Sequence, residues 1–358
     1  VWREASQADW SRSFPLYGAK PIGFKCDRFR FKPLNCDSEA ALLKKINMKN
    51  RVLSIDGGGM KALATAQILI ALEQRLKGRI ADYIDFASGT SAGGLTIAML
   101  LHPKKYTAQD ISDLFEQYGS TIFSTNALRT ALSYVYGSKY SAKGIESVLA
   151  KYMGNTRLSE LTKPAIITAY DLVRRNVKIF AQTDYSKYGS LGDFLLKDVC
   201  RATSAAQTYF KPAYILSCSG QPYHLIDGGN SMNNPALAAY SEIRAKPHNV
   251  HILSLGTGSV EKPYHHMDAN GDIDWIKPSI DIMMSSSSEV VDFHLQNIFS
   301  EYAQNYDRIQ WNHFGKASVE MDCATPANNR ALIELGKHVA IAYSSTLDKV
   351  ADSWMAKR

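Results

Sequence analysis

A serine stands among small residues in FASGTSAGG, residues 86–94, directly after an apolar run. Gly89-Thr90-Ser91-Ala92-Gly93 matches G-x-S-x-G, the turn in which a strand reverses sharply into a helix and leaves a serine oxygen exposed. That spacing makes Ser91 a candidate nucleophile, although an ordinary strand-to-helix turn can carry the same letters. A serine hydroxyl is a poor nucleophile and needs both a base and donors for the oxyanion formed on an acyl carbonyl. Two further glycine turns could supply them. In SIDGGGMKALA, Gly57, Gly58 and Gly59 lie between a strand and a helix amino end, where bare backbone approaches a ligand closely and presents N–H donors. This is a candidate oxyanion hole; a phosphate-binding turn or a merely tight loop are the other readings. Lys61 could serve a phosphate, but neither G-x-x-x-x-G-K-[ST] nor G-x-G-x-x-G with a following acid is present. In HLIDGGNSMNNP, Asp227 ends an apolar strand before two glycines. Its carboxylate could take the Ser91 proton if burial raises its proton affinity, or it could only brace the turn.

Other chemistries fare worse. His251, His265, His266, His294, His313 and His338 all follow Asp227, the order a Ser-Asp-His triad would need, yet none sits in a recognisable catalytic motif. Asp268, Asn270, Asp272 and Asp274 alternate like a calcium loop, but Ile273 and Ser279 stand where that loop needs Gly and Glu, so a polar turn and no metal are expected. Five cysteines form no C-x-x-C pair and no metal spacing, which points to a reducing compartment. No cofactor is expected.

These turns must be held by regular elements. RVLSI before the glycines and YIDFAS before Ser91 read as strands. Each is followed by a helix: in the first, Ala62, Ala66, Leu69, Leu72 and Leu76 share a face, and the second runs from Ala92 to Leu101 before Pro103. Strand, glycine turn and helix repeated within fifty residues build parallel α/β layers. Two amphipathic helices open at Thr107 and Ser141. KPAIITAYDL and NVKIFAQTDY read as neighbouring strands, a helix spans about 193–206, and PYHLIDGG and NVHILSLGTG are further strands. The tail from about 329 to 355 reads as helical. Residues 1–49, with Pro15, Pro21 and Pro33, read as an N-terminal extension of unassigned role before one α/β domain, 50–358.

The chain has 358 residues, 45% of them hydrophobic, enough for a large core. No apolar run approaches the roughly 20 residues that cross a bilayer, and VWREASQADW lacks the form of a signal peptide. A net charge of +7, scattered rather than in a tract, suits an anionic phospholipid surface at least as well as nucleic acid, for which no motif is present. Within residues 120–144 apolar and aromatic side chains interleave with Arg129, Lys139 and Lys143, with no acid, and this is the expected membrane-facing stretch; a buried insertion packed over the core is the other reading.

Taken in order, VLSIDGGGMKAL, GTSAGG, ATSAAQTYFKP, LIDGGNSMNNPALAAY and ILSLGTG resemble the patatin-like phospholipase family, and IDWIKPSIDIMM looks like its bacterial members. The resemblance runs from Val52 to Gly258. It implies a three-layer α/β/α fold with a central, mainly parallel sheet, and hydrolysis of fatty-acyl esters of glycerolipids by a Ser-Asp dyad without a histidine. By position Ser91 is then the nucleophile, Asp227 the base, and Gly57, Gly58 and Gly59 the oxyanion loop. It further implies a lipid acyl hydrolase of phospholipase A or lysophospholipase type, cytoplasmic or delivered into a host cell and peripheral to the membrane, with an activator or a homo-oligomer left open. The family often carries Gly after the basic residue, where this chain has Ala62. The rival from another class is a lipid-binding or signalling effector in which the site is vestigial.

Overall fold

The computed structural model describes residues 50–124, 137–260 and 275–356. The N-terminal extension 1–49, the acidic turn at Asp268–Asp274, and residues 125–136 of the expected membrane-facing stretch lie outside the described residues. Among the described residues eight strands form one sheet: β1 (Asn50–Ile55), β2 (Phe86–Thr90), β3 (Ala165–Asp171), β4 (Asn176–Ala181), β5 (Ala213–Leu216), β6 (Pro222–Asp227), β7 (Val250–Leu255) and β8 (Tyr306–Ile309). Their order is β5-β6-β3-β2-β1-β7-β8, with β4 also paired to β3. The run β3-β2-β1-β7-β8 is parallel throughout; β4 pairs antiparallel along the outer edge of β3, and β6, with β5 beyond it, pairs antiparallel with the end of β3 on the edge whose start β2 occupies.

Side chains of β1 and β7 are buried on both faces, the signature of a parallel sheet covered by helices on each side. Alternation then sorts them into two cores. Leu53, Ile55, Leu253 and Leu255 join the larger one. It is filled by α1 (Ala62–Leu76), α2 (Ala92–Leu100), α3 (Ala108–Ile122), α4 (Ala142–Met153) and α5 (Leu196–Thr203). Val52, Val250 and Ile252 face the other way, against α6 (Ala236–Ile243) and α7 (Ile276–Ile298). The C-terminal helices α8 (Pro326–Ala342) and α9 (Ser344–Met355) pack on α1. This is the expected three-layer α/β/α arrangement with a mainly parallel sheet.

Local chemistry sets the boundaries. Thr107 caps α3 in a capping box with Asp110, and the Ser141 hydroxyl accepts from the Lys143 N–H at the start of α4. The strand expected from Tyr83 begins only at Phe86, because residues 80–83 make a helical turn whose Tyr83 hydroxyl donates to the Leu76 carbonyl at 2.6 Å. The tail expected as one helical stretch is two helices. Tyr343 leaves helical geometry between them, with its hydroxyl bonded to the Gln310 carbonyl at 2.8 Å. Among the described residues no helix is long and apolar enough to cross a membrane.

Candidate active site

Ser91 sits at the tip of the turn from β2 into α2 with φ 55° and ψ −125°. A non-glycine residue held there stores about 1–3 kcal/mol of strain, which persists only where the surroundings fix it. The fixing is visible. A Cβ on Gly89 would lie 2.5 Å from the Gly93 carbonyl oxygen, and one on Gly93 would overlap the Ile55 carbonyl, so the turn closes only with glycine at both ends of the motif. The Ser91 N–H donates to Thr203 Oγ1 at 2.7 Å.

The Ser91 hydroxyl donates to Asp227 Oδ2 at 2.6 Å, and both residues are buried. The other carboxylate oxygen, Oδ1, accepts from the Gly229 N–H at 2.8 Å. Burial pushes the Asp227 carboxyl up to about 7, against the pull of the Ser91 hydroxyl and the Gly229 N–H, which favour its charged form. A carboxylate with that proton affinity is matched to base work near neutral pH.

The glycine loop packs directly on this pair, since a Cβ on Gly57 would come 3.1 Å from Ser91 Cβ and 2.6 Å from Asn233 Oδ1. Its three N–H groups are not equivalent. That of Gly57 donates to the Asn233 carbonyl at 3.3 Å, whereas no acceptor among the described residues takes those of Gly58 and Gly59. Gly58 is in extended backbone with φ 169°, so a left-handed conformation, one reason to expect glycine there, does not apply. Its side is occupied by Thr257, which a Cβ would overlap. Gly59 has φ +58° and stands against the Met321 carbonyl, which accepts from the Met60 N–H at 2.8 Å.

An apolar cavity opens over Ser91 and Asp227, walled by Leu95, Phe115, Phe123, Phe210, Ile280 and Met284 among others. Its described lining contains no histidine. Ile122 also lines it and Tyr140 is buried, so these members of the expected membrane-facing stretch belong to the interior, and Lys139 is tied to Asp322 at 2.5 Å. A polar cavity adjoins it on the far side of Met284 and Met321, lined by Lys61, Asp281, Glu289 and Arg308. Burial lowers the proton affinity of Lys61 there, with Asp281 and Glu320 acting in the opposite sense.

Sequence reasoning overlooked three supports. Asp56, the residue before the glycines, is buried in a two-pronged pair with Arg308, at 2.9 and 2.5 Å. Burial works against the Arg308 charge, but the Asp56 carboxylate outweighs it and raises the Arg308 pKa above its ordinary value. Thr203 and Ala205 were present in the quoted block ATSAAQTYFKP without an assigned role; the Ala205 carbonyl accepts from the Asp227 N–H at 3.1 Å. Asn233 ties the glycine loop to α7 through bonds to Ser287 and Ser288.

A Ser-His-Asp chain does exist elsewhere. His251 bonds Asp307 through Nε2 and Ser353 through Nδ1, both at 2.9 Å. It lies at the amino end of β7, level with Arg51, about 20 Å along the strands from the level of Ser91. It ties α9 to the sheet and does not meet Ser91.

The patatin-like phospholipase family model matches residues 53–240. Patatin-like protein 2 of Oryza sativa subsp. indica is 31% identical over 334 residues, covering 80% of this chain and 82% of that protein. Patatin group D-2 of Solanum tuberosum is 31% identical over 326 residues, covering 80% and 83%. The solved structure of VipD from Legionella pneumophila covers 84% of this chain and 67% of its own, at 14% identity and a TM-score of 0.43. Both sequence relatives are plant proteins, so the bacterial affinity expected from IDWIKPSIDIMM is not what they show. On the match over more than half its length and on these relatives, the chain belongs to the patatin-like phospholipase family.

Proposed function

We propose that Ser91 and Asp227 are the catalytic dyad of this lipid acyl hydrolase, and that the N–H groups of Gly58 and Gly59 hold the oxyanion. The observation that carries the reading is the 2.6 Å bond from a strained, buried serine to a buried carboxyl of raised proton affinity, under an apolar cavity. Asp227 Oδ2 takes the Ser91 proton as Oγ bonds to the acyl carbonyl carbon, and the carbonyl oxygen becomes the oxyanion. Collapse expels the alcohol, which leaves with the proton from Asp227, and the acyl group stays on Ser91. Water then gives a proton to Asp227 and its oxygen to the carbonyl carbon; the fatty acid departs as Ser91 Oγ recovers its hydrogen.

The apolar walls suit the acyl chain, and the adjoining polar cavity suits the alcohol portion of a phospholipid or lysophospholipid. The net charge of +7 favours work at an anionic membrane surface, to which the chain would attach peripherally. Covalent labelling by a fluorophosphonate tests the reading, because only an activated serine reacts. Labelling of the wild type at Ser91, lost in Ser91→Ala and Asp227→Asn, is the expected result. An unlabelled wild type that still binds lipid would favour the vestigial-site alternative.

A further inference from the structure

Helix α7 (Ile276–Ile298) has two apolar faces rather than one. At ~100° per residue, the side chains of Ile280, Met284, Val291 and Leu295 fall together and face inward. The first two line the apolar cavity over Ser91, and the last two pack in the smaller core. On the opposite side Trp275, Ile282, Met283, Val290 and Phe293 fall within an arc of about 100°. All five face outward, with exposures of 41%, 39%, 46%, 55% and 65%. The other residues of that arc are Ser279, Ser286 and Asn297, so it carries no charge; Asp281, Glu289 and Asp292 lie on one flank. A contiguous exposed apolar row on a folded protein marks a surface that something apolar covers.

We infer that the outward row of α7 docks this enzyme on a lipid surface and hands the acyl chain to the cavity lined by the same helix. Two observations select lipid as the occupant. The row carries no charged side chain, and its polar members are only Ser279, Ser286 and Asn297. Its helix also lines the cavity over Ser91 through Ile280 and Met284, so the exposed apolar row and that cavity are carried by one element. The inner side of α7 bonds through Ser287 and Ser288 to Asn233, whose carbonyl holds Gly57, and Ser288 bonds Asp56 at 3.4 Å. The docking element and the glycine loop are thus one connected unit. The inference rests on the reading of Ser91 as the reactive serine, and its test separates the two.

The experiment uses the full chain with Val290→Asp and Phe293→Asp, two exposed positions outside the cavity lining, on vesicles of equal parts phosphatidylcholine and phosphatidylglycerol. Flotation is measured in a Ser91→Ala background, and hydrolysis is measured on the vesicles and on p-nitrophenyl butyrate. Flotation and vesicle hydrolysis should each fall at least about tenfold, since apolar side chains no longer leave water, while the soluble ester is turned over within about twofold of wild type. The wild type should also show a blue shift of tryptophan emission on vesicles that Trp275→Phe removes. Unchanged flotation overturns the inference. So do equal losses on both substrates, which would make the row a support of the site. Conversion of an oligomer to a monomer with flotation intact would assign the face to a second copy and overturn it as well. A wild type that floats through this row but resists fluorophosphonate would sink the catalytic reading and leave the docking surface standing.

Discussion

Ser91 and Asp227 meet along one edge of β3, opposite the edge that β4 occupies. Thr90 pairs with Thr168 from β2, and Asp227 pairs with Ala169 from β6, so the residue after Thr90 and the last residue of β6 arrive at the same level along that edge. One strand runs parallel to β3 and the other antiparallel, so two separate chain segments deliver the proposed nucleophile and base to one point.

Removal of either group should therefore stop turnover. Ser91→Ala and Asp227→Asn are each expected to lower kcat by at least about 10³, and the double variant should be little worse than either, as for residues that act as one unit. Steady-state kinetics on a short-chain ester, beside circular dichroism to show an unchanged fold, decides it. Losses that multiply would break the dyad.

The raised proton affinity of Asp227 makes a pH prediction. The base is active when ionised, so kcat/KM should climb with pH through about 7 and then level. Stability runs the other way. The folded state holds this proton where the unfolded chain, at its ordinary value of 3.8, does not, so the stabilisation is complete below that value and is lost as pH rises through about 7. Asp227→Asn, which carries no charge to bury, should gain in Tm relative to wild type between pH 5 and pH 8. A Tm difference independent of pH would contradict the assignment.

Gly58→Val should lower kcat by about 10²–10³ through displacement of an oxyanion donor. The reason is steric: Thr257 occupies the place of the new side chain, and its hydroxyl holds the Gly57 carbonyl at 2.7 Å. Fluorophosphonate labelling should slow in proportion. A folded variant with near wild-type turnover would remove Gly58 from the oxyanion hole.

The Asp56–Arg308 pair supplies a test of support rather than chemistry. Arg308→Met leaves a buried carboxylate without its partner and should destabilise by about 3–5 kcal/mol in urea unfolding. Adding Asp56→Asn should recover part of that loss, because the uncompensated charge is gone. Additive destabilisation by the two substitutions would mean that the groups do not act as a pair.

Much of this was legible in the chain because glycine turns between apolar strands carry strong local signals. The strand before Gly57, the turn at Ser91 and the caps at Thr107 and Ser141 are all written in a few adjacent residues. What escaped depends on distant partners. β8 is a four-residue edge strand that supplies Arg308 to Asp56, and no local pattern announces a bond spanning 252 positions. α7 also went unassigned, because apolar residues on both faces and four consecutive serines blur the helical period; Ser287 and Ser288 have their meaning only beside Asn233. The expected membrane-facing stretch shows the converse. Ile122, Phe123 and Tyr140 are apolar and aromatic because they fill the interior.

The end of α5 has an evolutionary consequence. Thr203 Oγ1 holds the backbone of Ser91, and the Ala205 carbonyl holds that of Asp227, so the proposed nucleophile and base hang from one bracket of three residues. Ser204, Ala206 and Gln207 of the same short stretch line the apolar cavity proposed for the acyl chain. Substitutions there would retune chain-length preference and dyad alignment together, so such variants should seldom gain a new substrate at full speed. Ile280 and Met284 belong to another element, and selection can reshape the pocket through them while the bracket stays in register.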